Sequence, residues 1–317
     1  MKSTTCKPDR AGGTKRGQNS LIRWIKRDYG CYLFLSPAIL GFFIFTVYPI
    51  FASLCYAFTD FNGMFITKIG FFNFTNIFDA SPSGLWNDVG HSFIVTFINT
   101  LVSVPLGQGL SFFVSLLLLK EMKGVKTFRL LYYLPTIIPG IASAMIWMDM
   151  FSYDNGIINE WITAIGLPRN TFFEGENTAM YTLWITGLWG IGGNSIMWLA
   201  AFNNVSPEIL EASKLDGAGY LRRLFLIMVP MCTPIIFYNL ITGMIGTLQY
   251  FNSYAMVGTG PNNSLNFIAV NLYTKAFTGS VAQMGLACAM GWLLFIVIAL
   301  LTMLAFRANK HVYYGGD

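Results

Sequence analysis

Long apolar runs alternate along this chain with short segments that hold nearly all of its charged residues. A helix that crosses the hydrocarbon core of a bilayer, about 30 Å thick, needs about 20 apolar residues. Six runs reach that length, and none has a charged or histidine side chain near its centre. The runs are 31–58, 92–119, 130–151, 179–202, 231–257 and 281–306. The pattern predicts an all-α integral membrane protein with six transmembrane helices.

Composition supports the same class of protein. Hydrophobic residues make up 54% of the 317 residues and charged residues only 11%, whereas a soluble domain carries about 25% charged residues. The first apolar run is longer than the roughly 7–15 residues of a secretory signal, so we expect it to remain as a membrane anchor. The predicted organisation is a basic segment 1–30, a transmembrane domain 31–306 that includes the loop 205–230, and a tail 307–317.

The basic residues predict the orientation of the helices. Of the 20 Lys and Arg residues, 17 lie in segments 1–30, 120–129 and 203–230 or after residue 306. Loops rich in Lys and Arg stay in the cytoplasm, so both termini are expected there. The same placement explains the sequence pI of about 8.9 without a nucleic-acid partner, and none is predicted.

Several kinds of chemistry are disfavoured by the residues that the chain lacks. Its five cysteines form no C-x-x-C pair, and His91 and His311 are far apart, so neither a metal site nor a catalytic residue is predicted. There is no phosphate-binding G-x-x-x-x-G-K-[ST] loop. The spans have no central ionisable group for membrane-embedded catalysis or proton coupling. A secondary carrier that works alone stays open as an alternative, although no internal repeat supports it.

The loop 205–230 has the sequence features of two short helices. Ser206 is a candidate N-cap and Pro207 suits the first helical position, so a helix is predicted to run to about Leu215. Asp216 and the following glycine should end it, because glycine tolerates the left-handed backbone found there. A second helix should then bend at the proline in position 230. These residues alone are equally compatible with an ordinary surface connector.

The order of residues in this loop is more specific. The string E-A-S-K-L-D-G-A-G at 211–219, with Phe225, Ile227 and Pro230 after it, resembles the E-A-A loop of bacterial ABC importer permeases. Ser213 and Val229 depart from the family pattern. The resemblance implies the permease fold and a cytoplasmic coupling helix that docks on a separate ATPase. The residues it implies for coupling are Glu211, Ala212, Asp216, Gly217 and Ala218.

Other segments resemble the maltose-type, sugar-importing branch of that family. They are residues 35–38 with 48–49, 134–140, 156–159, 258–261 and 285–287. This resemblance implies a multi-pass protein of the bacterial inner membrane that pairs with a second, homologous permease rather than with its own copy. It also implies two copies of an ATPase, which would hold ATP and magnesium, and an external solute-binding protein. No cofactor is expected on this chain itself.

Polar and glycine positions inside three spans are candidates for a sugar pathway, because sugars bind to aromatic faces and hydrogen-bonding groups. They coincide with stretches that line the path in the maltose-type family, although small residues also serve helix packing. The double proline at 135 and 139 should break the third span. The candidates are Thr136, Gly140, Trp189, Gly190, Gly193, Asn194, Gly246, Gln249, Tyr250 and Asn252.

The resemblance therefore implies the channel subunit of an ATP-driven importer for a sugar or oligosaccharide. A permease for glycerol-3-phosphate is the alternative within the family. A phosphate would favour cationic groups along the path, and the predicted spans offer none. The sequence does not distinguish among sugars.

Overall fold

The structure is a computed structural model and describes residues 29–82, 84–119, 123–279 and 281–308. The chain divides into two units, Met1–Ser53 and Leu54–Asp317. Within the described residues the secondary structure is helical apart from an isolated bridge between Thr59 and Ile69. The all-helical architecture agrees with the prediction from sequence.

The first unit contains α1 (Tyr29–Phe42), a π-helical turn (Phe43–Val47) and the start of α2 (Tyr48–Ala57). Residues 1–28 of the predicted basic segment 1–30, and residues 309–317 of the predicted tail 307–317, lie outside the described residues.

In the second unit, the helices as far as residue 187 are α3 (Phe72–Phe78), α4 (Trp86–Leu119), α5 (Val125–Ile137), α6 (Gly140–Met150), α7 (Ile157–Ala164) and α8 (Glu176–Gly187). The helices from residue 192 onward are α9 (Gly192–Asn203), α10 (Pro207–Leu215), α11 (Tyr220–Arg223), α12 (Val229–Met231), α13 (Thr233–Leu248), α14 (Ser253–Val257), α15 (Ile268–Phe277) and α16 (Met284–Ala308).

Some of the six predicted transmembrane helices are present as continuous helices long enough to span a membrane. Three runs in the described residues are long and apolar enough to cross a membrane: Tyr32–Ala57, Trp86–Leu119 and Met284–Ala308. Two bent pairs pass the same test when each is taken together, which gives up to 5 crossings. The fourth predicted span, 179–202, is divided between α8, a 3₁₀ turn and α9. The count of six crossings and the cytoplasmic termini stay predictions.

The first bent pair breaks at the double proline, as the sequence predicts. α5 and α6 meet at 97°, and Ile138 between them has an extended backbone with φ −72° and ψ 127°. A residue that precedes proline is pushed out of the helical region by the proline ring. Pro139 therefore explains why the helix ends at Ile137 and restarts at Gly140.

The second bent pair breaks later than predicted. The helical run Tyr220–Met231 meets α13 at 65°, and the break lies at Cys232 rather than at Pro230. Pro234 lies in the first turn of α13, where the N–H that proline lacks has no helical partner in any case. This proline favours a new helix start at Thr233, three residues after the predicted bend at Pro230.

Serine hydroxyls bring the backbones of α4 and α9 close together. Ser115 Oγ donates to the carbonyl of Ser195 at 2.9 Å, and Ser111 Oγ donates to the carbonyl of Ile191 at 3.2 Å. All three serines are fully buried. Small residues permit such close approach between helices in a membrane, so α4 and α9 form one tightly packed pair.

One glutamine joins this pair to α13. Gln108 Nε2 donates to the main-chain carbonyl of Asn239 at 3.2 Å, and Gln108 Oε1 accepts from the indole N–H of Trp198 at 3.4 Å. Gln108 therefore bridges α4, α9 and α13, where buried polar groups need partners.

Polar contacts also fix α15 against the first turns of α4. Lys275 Nζ lies 2.9 Å from the carboxylate of Asp88. Asn271 Nδ2 donates to Ser92 Oγ at 2.8 Å, with both residues buried. The buried hydrogen bond holds the register between the two helices, whereas the partly exposed ion pair contributes little by itself.

The turn after α2 is organised by the Asp60 carboxylate. It accepts hydrogen bonds from the Thr67 hydroxyl, from the Thr67 N–H at 2.8 Å and from the Lys68 N–H at 2.9 Å. The Thr67 hydroxyl and these backbone donors lower the pKa of Asp60 from 3.8 to about 2. Hydrogen bonds to the charged form of a carboxyl group favour ionisation.

We expect the 59–70 turn to loosen only in strong acid. Because the folded-state pKa is depressed, the ionised carboxylate stabilises the turn at pH values above the ordinary pKa of 3.8, and this contribution is lost as pH falls through about 2. At pH 7, Asp60→Asn should speed amide hydrogen exchange in a peptide that covers residues 59–70. Asp79→Asn, which removes a carboxylate bonded to Ser81, is the control and should leave that peptide unchanged. Equal exchange in wild type and Asp60→Asn would contradict the assignment.

Candidate functional site

Two cavities lie among the helices of the second unit and share part of their lining. The larger has a volume of about 430 Å³ and the smaller about 240 Å³. Both are lined by Gly187, Gly190 and Tyr250. The 3₁₀ turn Leu188–Gly190 between α8 and α9 therefore separates two neighbouring spaces.

Eight of the ten predicted pathway residues line these cavities. The larger cavity is lined by Thr136, Gly140, Trp189, Gly190, Gly193, Tyr250 and Asn252, and the smaller by Gly190, Asn194 and Tyr250. Gly246 and Gln249 line neither cavity and are exposed near the end of α13. The structure thus brings together residues from three predicted spans, and the assignment of all ten to a sugar path stays a prediction.

Aromatic rings form one wall of the larger cavity. The rings of Trp147 and Trp189 meet edge to face, with centroids 5.5 Å apart at 87°. The Tyr250 ring packs in the same manner against the buried Phe267, at 5.4 Å. Edge-to-face packing fixes the orientation of each ring, so Trp147, Trp189 and Tyr250 offer rigid apolar faces to a ligand.

Neutral polar groups also line both cavities, and their described lining has no charged side chain. Thr136, Ser143 and Asn252 face the larger cavity, and Asn99 and Asn194 face the smaller. Asn99 Oδ1 is occupied, since it accepts from the Trp184 indole at 3.1 Å. Neutral hydrogen-bonding groups beside aromatic faces suit a hydroxyl-rich neutral ligand.

Prediction from sequence missed several lining residues. Trp147, Ser143, Thr186 and Gly187 line the larger cavity, while Asn99, Ser103, Gly107 and Trp184 line the smaller. Trp147 is one helical turn from Ser143 on α6, so the helical period that starts at Gly140 could have found both. Asn99, Ser103 and Gly107 recur every four residues on α4 and form the same kind of pattern.

Glycines on the cavity walls, and Gly192 beside them, have different structural roles. A Cβ atom on Gly190 would meet nothing within 4 Å, whereas one on Gly192 would lie 2.5 Å from the Tyr132 carbonyl. A Cβ on Gly140 would lie 3.0 Å from the Asn252 amide. Gly192 is therefore required for α9 to approach α5, and Gly140 leaves room for Asn252.

Gly192→Ala should destabilise the protein, because the new methyl group would lie against a main-chain carbonyl that cannot turn aside. We expect a loss of roughly 1–3 kcal/mol, the usual cost of overpacking. A lower thermal unfolding temperature of the purified protein would show it. Gly190→Ala is the control, since its methyl group would enter open space. If both variants unfold at the same temperature as wild type, the close approach of α5 and α9 is wrong.

The loop 205–230 has nearly the helices that the sequence predicts. α10 runs over Pro207–Leu215, although the Ser206 side chain makes no capping hydrogen bond. Its C-terminus is closed by Gly217 N–H to the Lys214 carbonyl and by Ala218 N–H to the Ser213 carbonyl, both 3.0 Å. With Gly217 at φ +76°, this is a Schellman motif. The predicted break at Asp216-Gly217 is confirmed.

One side of α10 is anchored in the protein. Ser213 is buried, and Leu210 packs on a core cluster that includes Phe202 and Leu224. The same cluster contains Trp198 of α9 and contacts residues of α4. Any displacement of α10 is therefore transmitted by packed side chains to the helices on which the cavities lie.

The other side of α10 is open. Glu211, Ala212, Asp216 and Gly217 are exposed, and Leu215 is 90% exposed. Ala218, the fifth residue implied for coupling, is half-buried. Prediction from sequence missed Leu215, a large apolar side chain that is more exposed than Ile209 (42%) on the same helix.

Comparisons with known proteins agree with this architecture. No family model matches the sequence. A probable ABC transporter permease, YesP of Bacillus subtilis, is 33% identical over 300 residues, which cover 92% of this chain and 94% of YesP. The lactose transport permease LacF of Rhizobium radiobacter is 29% identical over 92% of this chain and 97% of LacF.

A solved structure has the same fold. A chain of a bacterial ABC transporter that imports the acidic polysaccharide alginate matches with a TM-score of 0.81 at 22% identity, over 92% of this chain and 99% of that one. The broken helices, the cavities between them and this match define a multi-pass membrane protein with the ABC importer permease fold. With YesP as a relative, they place the chain in a family: it belongs to the ABC transporter permeases.

Proposed function

We propose that this chain is one of two different permease subunits of an ATP-driven sugar importer in a bacterial inner membrane. Its partners would be a homologous permease, two copies of an ATPase that hold ATP and magnesium, and an external solute-binding protein. The chain itself would be non-catalytic, with both termini in the cytoplasm. The observation that carries the proposal is α10, a helix that ends in a Schellman motif and is anchored on one side and exposed on the other.

Coupling would work through rigid movement of this helix. ATP binding would draw the two ATPase subunits together, and a helix seated on each would move with it. Because Leu210 and Ser213 lie on the packed side of α10, the movement would be passed on to α4 and α9. Such movement can switch a cavity between openings on opposite sides of the membrane. Glu211, Asp216 and Leu215 are the proposed contacts with the ATPase.

The cavities support a sugar as the ligand. Trp147, Trp189 and Tyr250 would stack on sugar rings, and Asn252 and Thr136 would bond to hydroxyl groups. Permeases for glycerol-3-phosphate are also relatives, for example UgpA of Salmonella typhi at 24% identity over 90% of this chain. The uncharged lining disfavours a phosphate unless the partner permease supplies the cations.

Isolation of the chain in mild detergent from its native membrane, followed by identification of co-purifying proteins, tests the proposal. We expect an ATPase with a phosphate-binding loop and a second permease with an E-A-A loop. Reconstitution into vesicles then tests the secondary carrier, which would accumulate substrate without ATP or partner subunits. Isolation without any ATPase under conditions that preserve other membrane complexes would overturn the proposal.

A further inference from the structure

A third cavity, separate from the two described above, is an open groove of about 510 Å³ between α3, the first turns of α4 and the middle of α16. Its walls are mostly apolar, with Ile94 on α4 facing Leu293, Ile296 and Val297 on α16. We refer to it as the α3–α4–α16 groove. None of its lining residues belongs to the proposed sugar path or to the loop 205–230.

The groove is shaped by an aromatic ring that lies over a glycine. A Cβ on Gly90 would be 3.3 Å from the Trp86 ring, so the absence of a side chain lets the indole lie against α4. Phe78 of α3 packs on the same ring, with centroids 5.8 Å apart. These three residues close one end of the groove.

Polar groups are confined to this end. Asn87 and His91 line the groove beside Trp86, and the structure gives neither side chain a hydrogen-bond partner among the residues it describes. The predicted outer boundary of the membrane lies at residue 92, where Trp is also favoured. The groove therefore has free hydrogen-bonding groups at the level of the lipid headgroups and an apolar floor at greater depth.

We propose that this groove binds one phospholipid of the outer leaflet. An acyl chain would lie along Ile94, Ile296 and Val297, and phosphate or ester oxygens would accept hydrogen bonds from Asn87 and His91. A transmembrane helix of the second permease fits less well. Its backbone carbonyls are bonded within the helix, so it would leave Asn87 and His91 without acceptors. A phospholipid would supply acceptors for Asn87 and His91 at the polar end of the groove and an acyl chain for its apolar floor.

Native mass spectrometry of the complete complex, released from nanodiscs of defined phospholipid, tests this site. Wild type should retain one phospholipid in the groove. Ile296→Trp fills the groove, so the phospholipid occupancy of this variant should be about tenfold lower. Leu300→Trp is the matched control: Leu300 is one turn further along α16 and 54% exposed, against 48% for Ile296, but it does not line the groove. It should retain the lipid as wild type does. The double variant Asn87→Leu with His91→Leu should also lose it.

Two results would overturn the proposal. One is equal lipid retention by wild type and Ile296→Trp, with both proteins unfolding at the same temperature. The other is efficient cross-linking of Ile296→Cys to the second permease, which would place a protein helix in the groove. Lipid retention does not depend on ATP-driven uptake or on the ligand, so the lipid site and the proposed importer can fail independently.

Discussion

Leu215→Glu is expected to release the ATPase from the permease while leaving the permease in the membrane. The side chain is 90% exposed at the end of α10, so the substitution removes no packing within this chain. The loss of a hot-spot residue at the centre of a protein interface costs about 2 kcal/mol or more, equivalent to at least roughly a 30-fold change in affinity. ATP-driven uptake by reconstituted vesicles should fall as the ATPase is lost from the complex. The measurement is the ratio of ATPase to permease after affinity purification.

Two controls make the result specific. Leu215→Met keeps an apolar side chain of similar size and should retain the ATPase. Ile165→Glu places the same charge at an aliphatic residue that is 74% exposed on the predicted outer side, and it should also retain the ATPase. If Leu215→Glu co-purifies with as much ATPase as Leu215→Met, then α10 is not the docking helix.

Gly190→Leu should block transport without damage to the fold. Gly190 lines both cavities, and a Cβ there would meet nothing within 4 Å. The larger side chain would project into the space proposed for the sugar, so we expect uptake to fall by about tenfold or more, equivalent to at least about 1.4 kcal/mol. Thermal unfolding and ATPase association should match wild type. The measurement is uptake of labelled sugar by vesicles that contain the complete complex.

The matched control for this variant is Gly109→Leu. Gly109 is also helical and also free of neighbours within 4 Å, but it lines neither cavity. It lies two residues beyond the lining residue Gly107, about 200° around the α4 helix. Uptake by Gly109→Leu should equal that of wild type. Wild-type uptake by Gly190→Leu would show that neither cavity carries the substrate.

Much of the helical architecture could be predicted because long apolar runs without charge have few structural solutions in a bilayer. The break at Pro139 and the turn at Gly217 were also predictable, since both follow from the backbone limits of proline and glycine. The coupling residues of the loop came from resemblance to a family and not from the physics of the loop alone. Their role stays a prediction.

The parts that were missed depend on contacts between residues far apart in the sequence. The bend at Cys232 is an exception with a local cause, since Pro234 favours a new helix start at Thr233. Trp147 shares a face of α6 with the predicted residue Gly140, but the 97° turn between α5 and α6 decides which space that face lines. Leu215 was overlooked because an exposed leucine is unremarkable until its surroundings are known.

The serine contacts between α4 and α9 have a mechanical consequence. Because Ser111 and Ser115 donate to main-chain carbonyls across the pair, sliding one helix past the other would break both bonds. Ser115 and Ser195 would keep bonds within their own helices, but the buried Ser111 hydroxyl would lose its acceptor. Helices α4 and α9 should therefore move together as one rigid unit. Bending should concentrate where regular helix is interrupted, at Ile138 and Cys232. A transporter built in this way would change the side to which its cavities open by hinge motion at Ile138 and Cys232, while the packing between α4 and α9 is retained.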